Sequence, residues 1–201
     1  MKDALINCKF DIKLDTVYVV ETLLLILLFI PYLVLRYHLA DHDTPSEKEK
    51  KRLAEGVELY NNQEYTKAFE YFNNALKVNR KSAVAFAYRG KCNLKDNNLY
   101  SALYDFTEAI SFDNTIPDLH LDRGIVQFKL GEFENAFLSF DKAVWFSRGE
   151  EPESLRWRAL ARLKLHQHAQ AEKDLQKAVK LGDENAAYVL SKPPFCRNIS
   201  V

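Results

Sequence analysis

Three small groups of residues in this 201-residue chain have the types and spacing to do chemistry. His38, Asp41 and His42 stand three and four apart, the spacing that places side chains on one helix face, and two imidazoles with a carboxylate can hold a divalent cation. The same residues also read as a polar, solvated linker, which is the simpler interpretation. His166 and His168 fall in a turn between two helical patterns and read as a solvated turn before a ligand pair. Asn198-Ile199-Ser200 has the form of a glycosylation sequon, at a position where it would be used poorly. Cys8, Cys92 and Cys196 form no metal or redox spacing, and an odd, scattered set is not a disulfide framework. There is no Gly-rich phosphate loop, nucleophile elbow or HExxH motif. The expectation is a chain with no catalytic residues, no metal and no cofactor, hence not an enzyme.

The elements that would position such residues must therefore carry the function. The chain has 28 basic and 28 acidic residues, with a formal charge of −3 over residues 1–47 and +3 over the rest. Neither part is basic enough for a nucleic-acid partner. Six glycines, six prolines and evenly spread charges favour long helices over a sheet sandwich or a disordered chain.

Val17 to Leu35 carries one charge, Glu21, and its uncharged part, Thr22–Leu35, has 14 residues. A cleaved signal, a membrane span and a buried core helix compete for such a run. A long mixed-charge segment precedes it, no small-residue cleavage site follows it, and Tyr18, Tyr32 and Tyr37 lie towards its ends, which favours a span. Pro31 would kink the helix without forbidding it. The expectation is a single-pass membrane helix over 16–37. Arg36, Lys48, Lys50, Lys51 and Arg52 outnumber Lys2, Lys9 and Lys13, which leans the C-terminal part towards the cytoplasm. Ahead of the run, Lys9 to Asp15 alternates with strand periodicity, as a tail on the membrane surface or a strand added to a partner's sheet.

Beyond it the chain repeats. Gly56, Gly90 and Gly124 stand 34 apart, as do Ala68, Ala102 and Ala136, and Phe72, Phe106 and Phe140. Ala75, Ala109 and Ala143 close each unit. A fourth unit follows after one inserted residue, with Ala159, Ala171, Leu175 and Ala178. Small residues allow two helices to cross closely, a ring fills the space to the next unit, and each unit leaves an apolar face that a neighbour must cover. Thr44-Pro45-Ser46-Glu47 reads as a helix start with a capping box.

These columns resemble the tetratricopeptide repeat (TPR): a small residue in the first helix, then Ala-x-x-x-aromatic and a second Ala in the second. The family's Trp position holds Arg52, Phe86, His120 and Leu155, and its closing Pro holds Arg80, Asn114 and Arg148. The resemblance implies an all-α helix-turn-helix solenoid: repeats at 49–82, 83–116, 117–150 and 152–185, then a capping helix and tail at 186–201. Residues 1–15 form the N-terminal tail, 16–37 the transmembrane helix and 38–48 a linker and helix start.

The resemblance also implies a concave groove that holds peptides, lined by the first helix of each repeat. Position matching assigns to it Tyr60, Tyr88, Lys91, Lys95, Asp118, Asp122, Lys129, Arg156 and Trp157. Some family members bind acidic C-termini of Hsp70 and Hsp90 through a clamp of Lys, Asn, Asn, Lys and Arg. Here those positions hold Leu53, Val57, Tyr88, Asp118 and Asp122, so no chaperone-tail binding is expected. Lys91 and Lys95 face Asp118, Asp122 and Glu153, which suggests a ligand with a basic segment near the third repeat. The implied function is a membrane-anchored adaptor or scaffold that binds other proteins. The alternatives are an accessory subunit of a membrane complex, or an assembly factor with its repeats on the periplasmic or lumenal side.

Overall fold

The computed structural model describes residues 18–19, 21–23, 25–37 and 43–195. The strand-like tail, the His38–His42 set, Cys8, Cys196 and the sequon lie outside the described residues. The chain divides into two units, residues 1–43 and 44–201.

In the first unit, the described residues 18–19, 21–23 and 25–37 are helical (α1), with Leu25, Leu27 and Leu28 exposed by 67%, 66% and 69%. Among the described residues, no helix is long and apolar enough to cross a membrane. The expected transmembrane helix over 16–37, of which 16, 17, 20 and 24 lie outside the described residues, is corrected accordingly. The single-pass membrane location, with the repeats on the cytoplasmic side, rested on that helix and falls with it.

The second unit is built of helix pairs. Thr44 caps α2 (Pro45–Arg52): its hydroxyl accepts from the Glu47 amide, and the Glu47 carboxylate accepts from the Thr44 amide. The helix breaks at Leu53 and resumes as α3 (Ala54–Asn61). Then follow α4 (Tyr65–Val78), α5 (Ala83–Lys95), α6 (Leu99–Phe112), α7 (Pro117–Lys129), α8 (Phe133–Phe146), α9 (Pro152–Lys164), α10 (His168–Lys180) and α11 (Glu184–Leu190). Each helix packs on the next, and the first helices of successive repeats also touch: α3 on α5, α5 on α7, α7 on α9. Asp183 caps α11 by accepting from the Ala186 amide.

The repeat columns are the core. Ala68, Ala102, Ala136 and Ala171 are fully buried, as are Phe72, Phe106, Phe140 and Leu175. The glycine column exists because of the phenylalanines. A Cβ on Gly124 would stand 2.5 Å from the Phe140 ring, and one on Gly56 2.3 Å from Tyr71. Each pair turns through one left-handed residue: Gln63, Asn97, Gly131 and His166, with φ of 64°, 59°, 82° and 60°. The next amide then reaches back to an orphan carbonyl, as Gln167 does to Arg162 at 2.8 Å. His166 therefore closes a turn; its ring lies 6.2 Å from that of His168.

A second column, polar and buried, escaped the sequence reading. Arg89 grips Asp105 with two hydrogen bonds (3.1 and 2.6 Å) and reaches Asn73 in the preceding repeat at 2.9 Å. In the same register, Arg158 grips Asp174 at 2.9 and 2.7 Å and reaches Asp141 at 2.7 Å. Between them Arg123 meets only a hydroxyl, Ser139 Oγ at 3.1 Å, and burial lowers its pKa below the usual arginine value.

Candidate functional site

The first helices α2, α5 and α7 contribute side chains to one shared cavity. Thr44 caps α2 and lines the same cavity as residues of α5. Ser82 caps α5 by accepting from the Ala85 amide at 3.0 Å. Pro117 starts α7 with a preset φ. These three helix starts enclose a cavity of about 330 Å³. Val84, Ala87 and Tyr88 form its apolar floor, and Lys50, Lys91, Glu47 and Asp118 line it with charges of both signs.

Tyr88 is the centre of the floor. Its ring stacks on the buried Phe72 at 5.1 Å and meets Tyr60 edge-on at 5.7 Å. Lys50 Nζ lies 6.0 Å and Lys91 Nζ 5.5 Å from its centroid, so the ring's negative face carries two ammonium groups. Lys91 Nζ also stands 3.3 Å from Asp122 Oδ2. That oxygen is buried without a well-aligned hydrogen bond, so charge rather than geometry holds the pair. Burial works against the Lys91 ammonium, but Asp122 and Asp118 outweigh it and hold it above the usual lysine range. Burial holds the Asp122 carboxyl above the usual carboxylate range, against the pull of Lys91. Burial likewise pushes the Tyr60 hydroxyl up.

Of the residues assigned from the sequence, Tyr60, Tyr88, Lys91, Asp118 and Asp122 thus meet around α5 and α7. Lys95 is near them, 5.9 Å above the Tyr65 ring that packs on Tyr60. Arg156 and Trp157 form a separate cluster on α9. Arg156 binds Asp183 at 2.8 Å and Glu153 at 3.2 Å, tying α9 to the cap of α11. Trp157 stacks on Phe140 at 5.8 Å and donates to Glu153 at 3.1 Å. Lys129 is exposed in the last turn of α7 and does not line the cavity. The sequence reading missed the rim formed by Glu47 and by Thr115–Pro117, since a cap and a loop carry no groove signal of their own. Cys92 beneath is fully buried, and burial pushes its thiol up to about 12, out of the reactive range. Among the described residues no His, Cys, Asp and Glu cluster could hold a metal.

No family model matches the chain. Its sequence is 30% identical over 98 residues to Hsp70-Hsp90 organizing protein of Triticum aestivum, covering 49% of this chain and 16% of that protein. The structure is similar to the crystal structure of MamA, with a TM-score of 0.60 and 19% identity, covering 71% of this chain and 88% of that one. It is similar to the first TPR of Spaghetti (RPAP3) bound to the HSP90 peptide SRMEEVD, with a TM-score of 0.52 and 24% identity, covering 55% of this chain and 88% of that one. The fold is an all-α, TPR-like solenoid.

One expectation is overturned here. The exclusion of acidic chaperone tails does not stand: a domain of this fold holds the peptide SRMEEVD, and the curated relative is named for Hsp70 and Hsp90. The exclusion counted Asp118 and Asp122 as free anions. Asp122 is instead paired with Lys91, and Lys50, outside the five clamp positions, adds a cation beside Tyr88.

Proposed function

We propose that this chain is a non-enzymatic scaffold that docks an extended segment of a partner protein in the concave groove around Tyr88. The observation that carries this reading is the open cavity with an aromatic floor and charges of both signs on its rim. Such a floor offers apolar contact at small entropic cost, and the flanking charges set direction and register. The chain matches 16% of the length of its organizing-protein relative, so recruitment of chaperones is carried over as a ligand class to test, not as a shared biology.

The first ligand class is a segment ending in a free acidic C-terminus, favoured by the Lys50 ammonium 6.0 Å from the Tyr88 ring. Calorimetric titration with the peptide SRMEEVD and with its C-terminal amide tests this. The free acid is expected to bind saturably, and both amidation and Lys50→Ala are expected to weaken it. Equal binding of acid and amide would remove the carboxylate from the account while leaving the scaffold.

A second reading, a permanently assembled accessory subunit, is favoured by α1, whose leucines are more than half exposed. Such a subunit would co-purify with a partner at fixed stoichiometry, and removal of residues 1–43 would release it.

A further inference from the structure

The junction between the third and fourth repeats differs from the others. The repeat step there is 35 residues, and the chain turns through two successive left-handed residues, Arg148 at φ 55° and Gly149 at φ 68°. Gly149 leaves room for Lys177, whose Nζ would lie 2.5 Å from a Cβ placed there, so the ammonium lies against the turn. The result is a cleft of about 440 Å³ outside the concave groove, bounded by Asp141, Trp145, Arg148, Arg158 and Lys177.

Two features of this cleft are not needed by the fold. Trp145 is 70% exposed. Its register mates in the other repeats are Lys77, Ser111 and Lys180, so the column is solvated and tolerates polar residues. The cations are also in excess. Arg158 is neutralised by Asp141 and Asp174, both at 2.7 Å, whereas Arg148 and Lys177 make no ion pair among the described residues. Tryptophan and arginine together are the side chains that most often anchor protein partners. Two free cations are too few for a nucleic-acid backbone, and the whole chain has no net charge.

We propose that this cleft is a second docking site, for an acidic segment of a partner protein bearing an apolar residue. The apolar side chain packs on the Trp145 face, and flanking carboxylates pair with Arg148 and Lys177. Together with the groove, this makes the chain a scaffold that holds two segments on different faces. The proposal does not rest on the groove being occupied.

The chain has two tryptophans, so Trp157→Phe leaves Trp145 as the sole reporter. In that background the probe is a blocked six-residue peptide of alternating glutamate and phenylalanine, with an alternating lysine and phenylalanine peptide as its counterpart. The acidic probe is expected to shift Trp145 emission saturably, and the basic one is not. Lys177→Glu and Arg148→Glu are each expected to weaken the acidic probe by about tenfold with the thermal midpoint kept. Should Arg148→Glu fail to fold, Lys177→Glu, on an exposed helix face, decides alone. Lys50→Ala is expected to leave the emission change intact, which separates this site from the groove. Equal response to both probes, unchanged binding by Lys177→Glu, loss on Lys50→Ala, or no emission change would each overturn the proposal.

Discussion

Lys91 on α5 and Asp122 on α7 face each other at 3.3 Å, with side chains only 24% and 16% exposed, and so link the first helices of the second and third repeats. The two partners gain unequally. Lys91 is stabilised by two carboxylates, while Asp122 loses more from burial than Lys91 returns. Lys91→Met should therefore cost roughly 2–3 kcal/mol, somewhat below the loss for a fully buried pair, because it strands a carboxylate. Lys91→Met combined with Asp122→Leu should recover most of that. Urea unfolding of the three variants checks the order.

A buried histidine makes the third repeat pH-sensitive. His120 is 1% exposed and stacks on Phe146 at 5.2 Å. Its Nε2 lies 2.8 Å from the Asn114 carbonyl oxygen, which requires an N–H there, and its Nδ1 is buried without a partner. Burial lowers its pKa, against the Asn114 hydrogen bond, and Arg123 and Lys142 add to the fall. The unfolded chain then takes up a proton first, near the ordinary histidine value. The stability His120 contributes is complete above that value and is lost as pH falls through it, by at most roughly 1.4 kcal/mol per pH unit. Phe86 fills the same register position and stacks on Phe112 in the same way, at 5.9 Å. His120→Phe should therefore flatten the decline in unfolding free energy between neutral and mildly acidic pH. An unchanged slope would assign the decline to other groups.

The polar column makes a third prediction. Ser139 stands where Asp105 and Asp174 stand in the neighbouring repeats, and Arg123 lacks the carboxylate that Arg89 and Arg158 have. Ser139→Asp should stabilise the chain by about 1–2 kcal/mol, the gain of a charge-assisted pair net of desolvation. Asp105→Ser should destabilise it by a similar amount. Denaturant midpoints at neutral pH report both.

Glycine tolerance should vary along its column. A Cβ on Gly90 would meet Phe106 at 3.0 Å, but one on Gly124 would meet Phe140 at 2.5 Å. Alanine gains about 1 kcal/mol of helix propensity at either site, while overpacking costs about 1–3 kcal/mol. Gly90→Ala should be near neutral and Gly124→Ala clearly destabilising. The difference in melting temperature between the two variants measures this.

These residues also show what the sequence made legible. The apolar columns could be read because one packing rule acts at every repeat, and small residues and rings recur wherever two helices cross. The capping box at Thr44 could be read because it is local. Arg89, Arg123 and Arg158 recur as regularly as the alanines. They were missed because an arginine column reads as a solvated face until its carboxylates, 16 residues on, are aligned as well. Lys91 and Asp122 were read as opposing charges but not as a pair: the residues are 31 apart, and their contact depends on how α5 crosses α7. The count of free charges in the groove failed for that reason. The apolar run over 16–37 failed differently: among the described residues, no helix is both long and apolar enough to cross a membrane.

The central claim is that the floor around Tyr88 takes a peptide. Selection from a displayed random-peptide library on the immobilised chain tests it, whatever the natural partner is. The account predicts a dominant family of peptides that compete with one another and lose binding to a folded Tyr88→Ala variant. A dominant family that binds Tyr88→Ala as well as the parent, or no enrichment at all, would contradict it.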